Sequence, residues 1–211
     1  MLPVSLNAND CNPKSLDDKP EQSKLHVMVM YHTTSCKHTA LRLYCRTKGP
    51  LFWDPAGAFA TQICYLGPAA RHHREFATKR YMDSKRTDDV MSKKVPTLNQ
   101  YIDWRETINT HAVEIFEFNL TDSEAEELYA VLRYGTKRSH PKGQFTTKAI
   151  GLTCGLSVAR FLHRFAEDVV EVDAVFFPHN LAKQLYKKNP DRVVIHRDGQ
   201  LSYYIPSENQ H

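Results

Sequence analysis

The sequence predicts an α+β domain in which an antiparallel sheet packs against helices. Three observations carry that prediction. β-prone apolar runs follow one another across short turns. Stretches with helical apolar spacing each begin at a recognisable helix-start residue. The order of the elements mixes strands and helices without a repeating βα unit, and no internal repeat or low-complexity tract interrupts it.

Residues 1–24 are rich in Asn, Asp, Pro, Lys and Ser and read as an extended arm without a core of its own. The domain is expected over residues 25–205. His26–His32 (HVMVMYH) is apolar and reads as a buried strand. After the polar turn TTSCK come two further strand-like runs, His38–Cys45 (HTALRLYC) and Leu51–Gly57 (LFWDPAG). The short RTKGP segment between them predicts a β-hairpin.

The stretch from about 67 to 110 changes character. GPAARHHREFATKRYMDSKRTDDVMSKK holds eight Lys/Arg against four Asp/Glu, a net of +4 that equals the excess of the whole chain. It reads as a basic insertion, either a solvated helix or lid or a surface for an anionic partner. VPTLNQYIDWRETI, with several apolar residues, is expected to tie it back to the core.

Val113–Leu120 (VEIFEFNL) alternates as a strand. Thr121 followed by Glu124 is a capping box, so a helix is expected from there to about Tyr134, stopping at Gly135. Cys154, Val158, Phe161, Leu162 and Phe165 then recur at helical spacing. VDAVFF reads as a strand, and Pro178 opens the helix PHNLAKQLYKK, with Pro190 just past its end. Asp198-Gly199 marks a final hairpin.

The chain has 211 residues, 28 Lys+Arg against 24 Asp+Glu, and 41% hydrophobic residues. That length suits one domain with an insertion. A net charge of +4 argues against an acidic disordered tail and against a strongly basic nucleic-acid binder. No apolar run approaches the 18 or so residues of a membrane-spanning helix. The first residues lack a basic and then apolar leader, so the expectation is a protein made in the cytoplasm that does not leave by the general secretory route.

There are five cysteines, Cys11, Cys36, Cys45, Cys64 and Cys154, with no CxxC pair, which argues against a zinc ribbon and a disulfide framework. Cys154 stands out because it falls in the first turn of a predicted helix that Thr153 can cap. Free N–H groups and the helix dipole favour a thiolate there. The alternative is an ordinary buried cysteine. Cys36 ranks below it, lacking a helix terminus. A thiolate needs a base. Among eleven histidines, His38 starts a strand directly after a polar turn, and Asp54 ends the next strand. With a hairpin loop centred near Arg46 the two lie opposite each other, where the carboxylate would hold one tautomer of the imidazole. A loop around Thr47 and Lys48 displaces Asp54 by two to three residues and weakens the contact. Otherwise Asp54 is a turn-forming Asp before Pro, and His38 a solvent-facing histidine at a strand edge. A metal site from His72, His73 and a cysteine has poor spacing, so no metal and no cofactor is expected.

HTALRLY, then LFWDPAG, then a helix opening with Cys in GLTCGLSVARFL, resembles the circularly permuted branch of the NlpC/P60 superfamily of papain-like cysteine hydrolases, in which the histidine precedes the cysteine. VFFPHNLAKQL resembles the family's Pro-Asn-x-Leu helix. The similarity covers roughly residues 25 to 190. It implies a permuted papain-like fold, with Cys154 as nucleophile, His38 as base and Asp54 as the orienting group. Thr153 and Gly155 stand where the family usually has a polar residue beside the nucleophile, and the basic stretch departs from the compact family pattern. The resemblance implies cleavage of amides in peptidoglycan stem peptides through an acyl-enzyme. Similar proteins are antibacterial effectors of type VI secretion, which act in a target cell's periplasm and require an immunity protein and a secretion carrier as partners. The alternatives are a lipid acyltransferase or phospholipase of the same fold, and a non-catalytic protein that binds an anionic partner through the basic insertion.

Overall fold

A computed structural model describes residues 20–32, 37–55, 90–91, 95–106, 110–147 and 153–206. The protein is an α+β fold built on one antiparallel sheet. Its strands are β1 (Ser23–His32), β2 (Lys37–Cys45), β3 (Gly49–Trp53), β4 (Val90–Met91), β5 (Thr110–Leu120), β6 (Arg192–Arg197) and β7 (Gln200–Tyr204), in the order β4-β3-β2-β1-β5-β6-β7. The helices are α1 (Leu98–Glu106), α2 (Asp122–Tyr134), α3 (Cys154–Phe165) and α4 (Pro178–Leu185). Most of the expected arm, and most of the basic stretch from 67 onward, lie outside the described residues.

Alternation along the strands produces two cores. Val27, Val29, Leu41, Leu43, Trp53, Phe116 and Phe118 face α2, α3 and α4. Met28, Met30, Ala40, Phe52, Val113 and Ile115 face α1, which contributes Leu98, Tyr101 and Ile102. Because both faces are covered, β1 is apolar on both sides, which is why HVMVMYH runs without alternation.

Local signals hold where the chemistry is local. Thr121 caps α2: its hydroxyl accepts from the Glu124 N–H at 3.3 Å, and its own N–H donates to the Glu124 carboxylate at 2.7 Å. The helix ends at Gly135, whose φ of +69° needs a glycine. Asp198 and Gly199, with φ of +51° and +74°, make the β6–β7 hairpin turn. The VDAVFF segment is different. Residues 172–177 belong to no strand of the sheet. The Asp173 N–H donates instead to the Gln184 side chain at 2.7 Å, tying the segment to α4.

The β2–β3 hairpin pairs Cys45 with Gly49, Leu43 with Leu51 and Leu41 with Trp53. Its centre is therefore Thr47, one residue past the centre that would set Asp54 directly opposite His38. That register aligns position 54 with Ala40, two residues from His38. A shift of two keeps the side chain on the same face, whereas a shift of one would have reversed it.

Candidate active site

Each member of the site is delivered by a strand end or a helix start. His38 is the second residue of β2 and Asp54 directly follows β3, so both lie at the same end of the sheet on the face covered by α1. Trp53, one residue earlier, points to the opposite face and packs against Phe161 of α3, with ring centroids 5.7 Å apart. Its indole N–H donates to the Thr147 carbonyl at 2.9 Å. Trp53 thus faces the helix layer of α3 while Asp54 faces α1.

Cys154 is the first residue of α3 and only 4% exposed. Thr153 caps the helix: its hydroxyl accepts from the Leu156 N–H at 3.2 Å and donates to the Phe176 carbonyl at 3.2 Å. Gly155 is dictated by closeness, since a Cβ there would lie 2.6 Å from the Phe176 carbonyl oxygen and 3.1 Å from the Pro178 ring. The chain before α4 therefore packs tightly over the mouth of α3.

The structure brings Cys154, His38 and Asp54 together. His38 Nε2 donates to Asp54 Oδ1 at 2.5 Å, a diagonal contact across the hairpin that side chains on one face can make. The Cys154 sulfur is close enough to His38 and to the Thr39 backbone N–H for both to favour its thiolate form. Asp54 Oδ2 accepts from the Tyr101 hydroxyl at 2.9 Å and lies 3.6 Å from an Arg105 nitrogen.

These contacts decide the charges. Burial would raise the Asp54 carboxyl, but the His38 and Arg105 charges and the hydrogen bonds from His38 and Tyr101 hold it well below the usual carboxylate range. Burial and the Arg105 charge press the His38 pKa down, yet Asp54 and the sulfur outweigh them and raise it. Burial would raise the Cys154 thiol, and Asp54 adds to that, but the charge and hydrogen bond of His38 and the Thr39 N–H bring it below its ordinary value. These shifts favour the thiolate of Cys154 and the imidazolium of His38 over their neutral forms, with an ionised Asp54 behind them.

Sequence reasoning missed Tyr101 and Arg105. They sit four residues apart on α1, so both side chains fall on one face of that helix. The available signal was the i, i+4 spacing of a phenol and a guanidinium inside an apolar segment. Cys36, Cys11, Cys64, His72 and His73 lie outside the described residues, and among the described residues no group of three His, Cys, Asp or Glu side chains could hold a metal ion. Cys45 is a free, buried thiol whose sulfur lies 3.3 Å from the Thr47 hydroxyl, at the far end of β2. No helix among the described residues is long and apolar enough to cross a membrane. Comparison with known proteins returns no matching family model, no similar curated protein and no similar solved structure.

Proposed function

We propose that the protein is a cysteine hydrolase of the permuted papain-like type, cleaving amide bonds of peptidoglycan stem peptides through an acyl-enzyme. The observation that carries this reading is the Cys154–His38–Asp54 chain, in which a sulfur at a helix start, an imidazole and a buried carboxylate are linked in that order. The order His38, Asp54, Cys154 along the sequence agrees with the permuted branch.

In the reaction, the Cys154 thiolate attacks the scissile carbonyl and forms a C–S bond. The oxyanion is held by N–H groups at the start of α3, among them that of Cys154. His38 protonates the leaving amine as the C–N bond breaks. His38 then takes a proton from water, whose oxygen attacks the thioester, and the thiolate leaves. Asp54 keeps Nε2 engaged so that Nδ1 always faces the sulfur, and Tyr101 and Arg105 hold the carboxylate in place. On this reading the protein is an antibacterial effector exported by type VI secretion, with an immunity protein and a secretion carrier as partners.

The test is mass spectrometry of purified sacculi digested with the wild type and with Cys154→Ala. The expected result is new peptide termini with the wild type and none with the variant, while the variant's circular dichroism and melting temperature stay close to wild type. Digestion by Cys154→Ala would end the proposal.

A further inference from the structure

Among the described residues, the exposed large apolar side chains are Tyr134, Phe176 and Phe177. Tyr134 ends α2. Phe176 and Phe177 are 46% and 53% exposed, adjacent in the chain, and edge-to-face with centroids 5.0 Å apart. Phe177 also stacks on His179, at 5.6 Å and 27°. Exposed aromatic surface of this kind is costly to leave in water and marks a place where something binds.

Its position identifies the occupant. On one side, the Phe176 carbonyl bonds the Thr153 hydroxyl and lies against Gly155, the two residues that flank Cys154. On the other side, burial and then the charges of Lys37 and Lys183 lower the His179 pKa, and Lys37 directly precedes His38. The aromatic step therefore borders the neighbours of both reacting residues. Its rim is cationic, which disfavours a basic group. Upstream, Glu171 and Asp173 are exposed acids. With only two rings, the patch is the size of one side chain rather than of a membrane footprint.

We propose that Phe176 and Phe177 form a specificity-determining surface that receives an apolar side chain of the peptide substrate, next to the bond Cys154 attacks, and rejects a basic one. The inference rests on Cys154 as the attacking group but not on the identity of the natural substrate.

The test measures alkylation of Cys154 by iodoacetamide, N-hexyliodoacetamide and N-(6-aminohexyl)iodoacetamide, quantified per peptide by mass spectrometry and normalised to glutathione. In the wild type the hexyl reagent is expected to react at least tenfold faster than iodoacetamide, since each buried methylene contributes up to roughly fourfold. The aminohexyl reagent should show little of that gain. Phe176→Ala/Phe177→Ala should bring the hexyl-to-iodoacetamide ratio close to one, and Phe176→Leu/Phe177→Leu should keep most of it. A wild-type ratio near one, or a ratio that survives the double alanine variant, overturns the proposal. So does Phe-dependent sedimentation with phosphatidylglycerol vesicles without a hexyl preference, which would make the occupant a bilayer. If Cys154 reacts with iodoacetamide no faster than glutathione does, the hydrolase reading fails separately.

Discussion

Two histidines on the same face of the sheet sit beside buried carboxylates, and their pKa values move in opposite directions. His26 of β1 lies 3.4 Å from Glu117 of β5, and its pKa is lowered. His38 of β2 lies 2.5 Å from Asp54, and its pKa is raised. Burial opposes the charged form in both. The difference is how each carboxylate is shared and whether a second anion is present. Glu117 accepts from Arg192 at 2.8 and 2.9 Å and lies 3.4 Å from Lys24, while the Arg42 charge pushes His26 further down. Asp54 also meets a cation, Arg105, but the Cys154 sulfur on the other side of His38 restores the balance. A buried His–carboxylate pair is therefore a structural device until a group that can become anionic joins it.

The largest expected effect separates the two histidines directly. His38→Gln should lower hydrolysis by roughly 1,000-fold, within the range of lost acid–base catalysis, and should move the midpoint of Cys154 alkylation toward the ordinary thiol value near 8.5. His26→Gln should leave both rates within about threefold. Equal losses in the two variants would dissolve the distinction.

Glu117→Gln probes the structural member. Removing one partner from a buried ion cluster costs about 3 kcal/mol or more, read as a lower melting temperature with the Cys154 alkylation rate unchanged. The pH dependence has a definite sign. Glu117 is held well below the usual carboxylate range, so its contribution is complete above the unfolded value of about 4.3 and is lost as pH falls further. The deficit of the variant should be full at pH 7 and shrink below about pH 4; a deficit independent of pH would remove Glu117 as its source.

Asp54→Asn should lower hydrolysis on the order of 100-fold, because the imidazole loses its tautomeric anchor and much of the charge that sustains it. As Asp54 raises the His38 pKa, the alkaline limb of the pH–rate profile should move to lower pH. A limb that stays in place would mean that Asp54 does not set the His38 charge. The smallest effect is expected for Tyr101→Phe, which deletes one hydrogen bond of about 1 kcal/mol. A loss of up to about tenfold in kcat, a small upward shift of the same limb, as Asp54 is left less shared, and an unchanged KM would mark Tyr101 as a positioning residue; a KM effect alone would place it against substrate.

Parts of the site were legible because their causes are local. A capping Thr153 before Cys154 predicts a helix start, and a helix start favours a thiolate wherever it lies. His38 and Asp54 were paired through a loop expected near Arg46; the loop is instead centred on Thr47, the case expected to weaken the contact, yet the two-residue offset preserves the face and the contact forms diagonally. The α1 contribution was hidden, because Tyr101 and Arg105 lie within the stretch 67–110, where charge composition draws attention to solvent. VDAVFF misled for a related reason. Its β-branched and aromatic content suits a strand, but its backbone is tied to α4 through Gln184 instead, a tertiary outcome that no propensity encodes.

The amino-acid order alone determined the α+β class, the capping of α2 and α3, the closing Asp198-Gly199 hairpin and the three chemically suited side chains, since each depends on neighbours within a few residues. Only the tertiary structure decided which histidine is favoured in its charged form, that α1 braces Asp54, and that the Phe176 carbonyl packs against the residues flanking Cys154. Those outcomes depend on distances between segments far apart in the chain and on how much water packing leaves around each group.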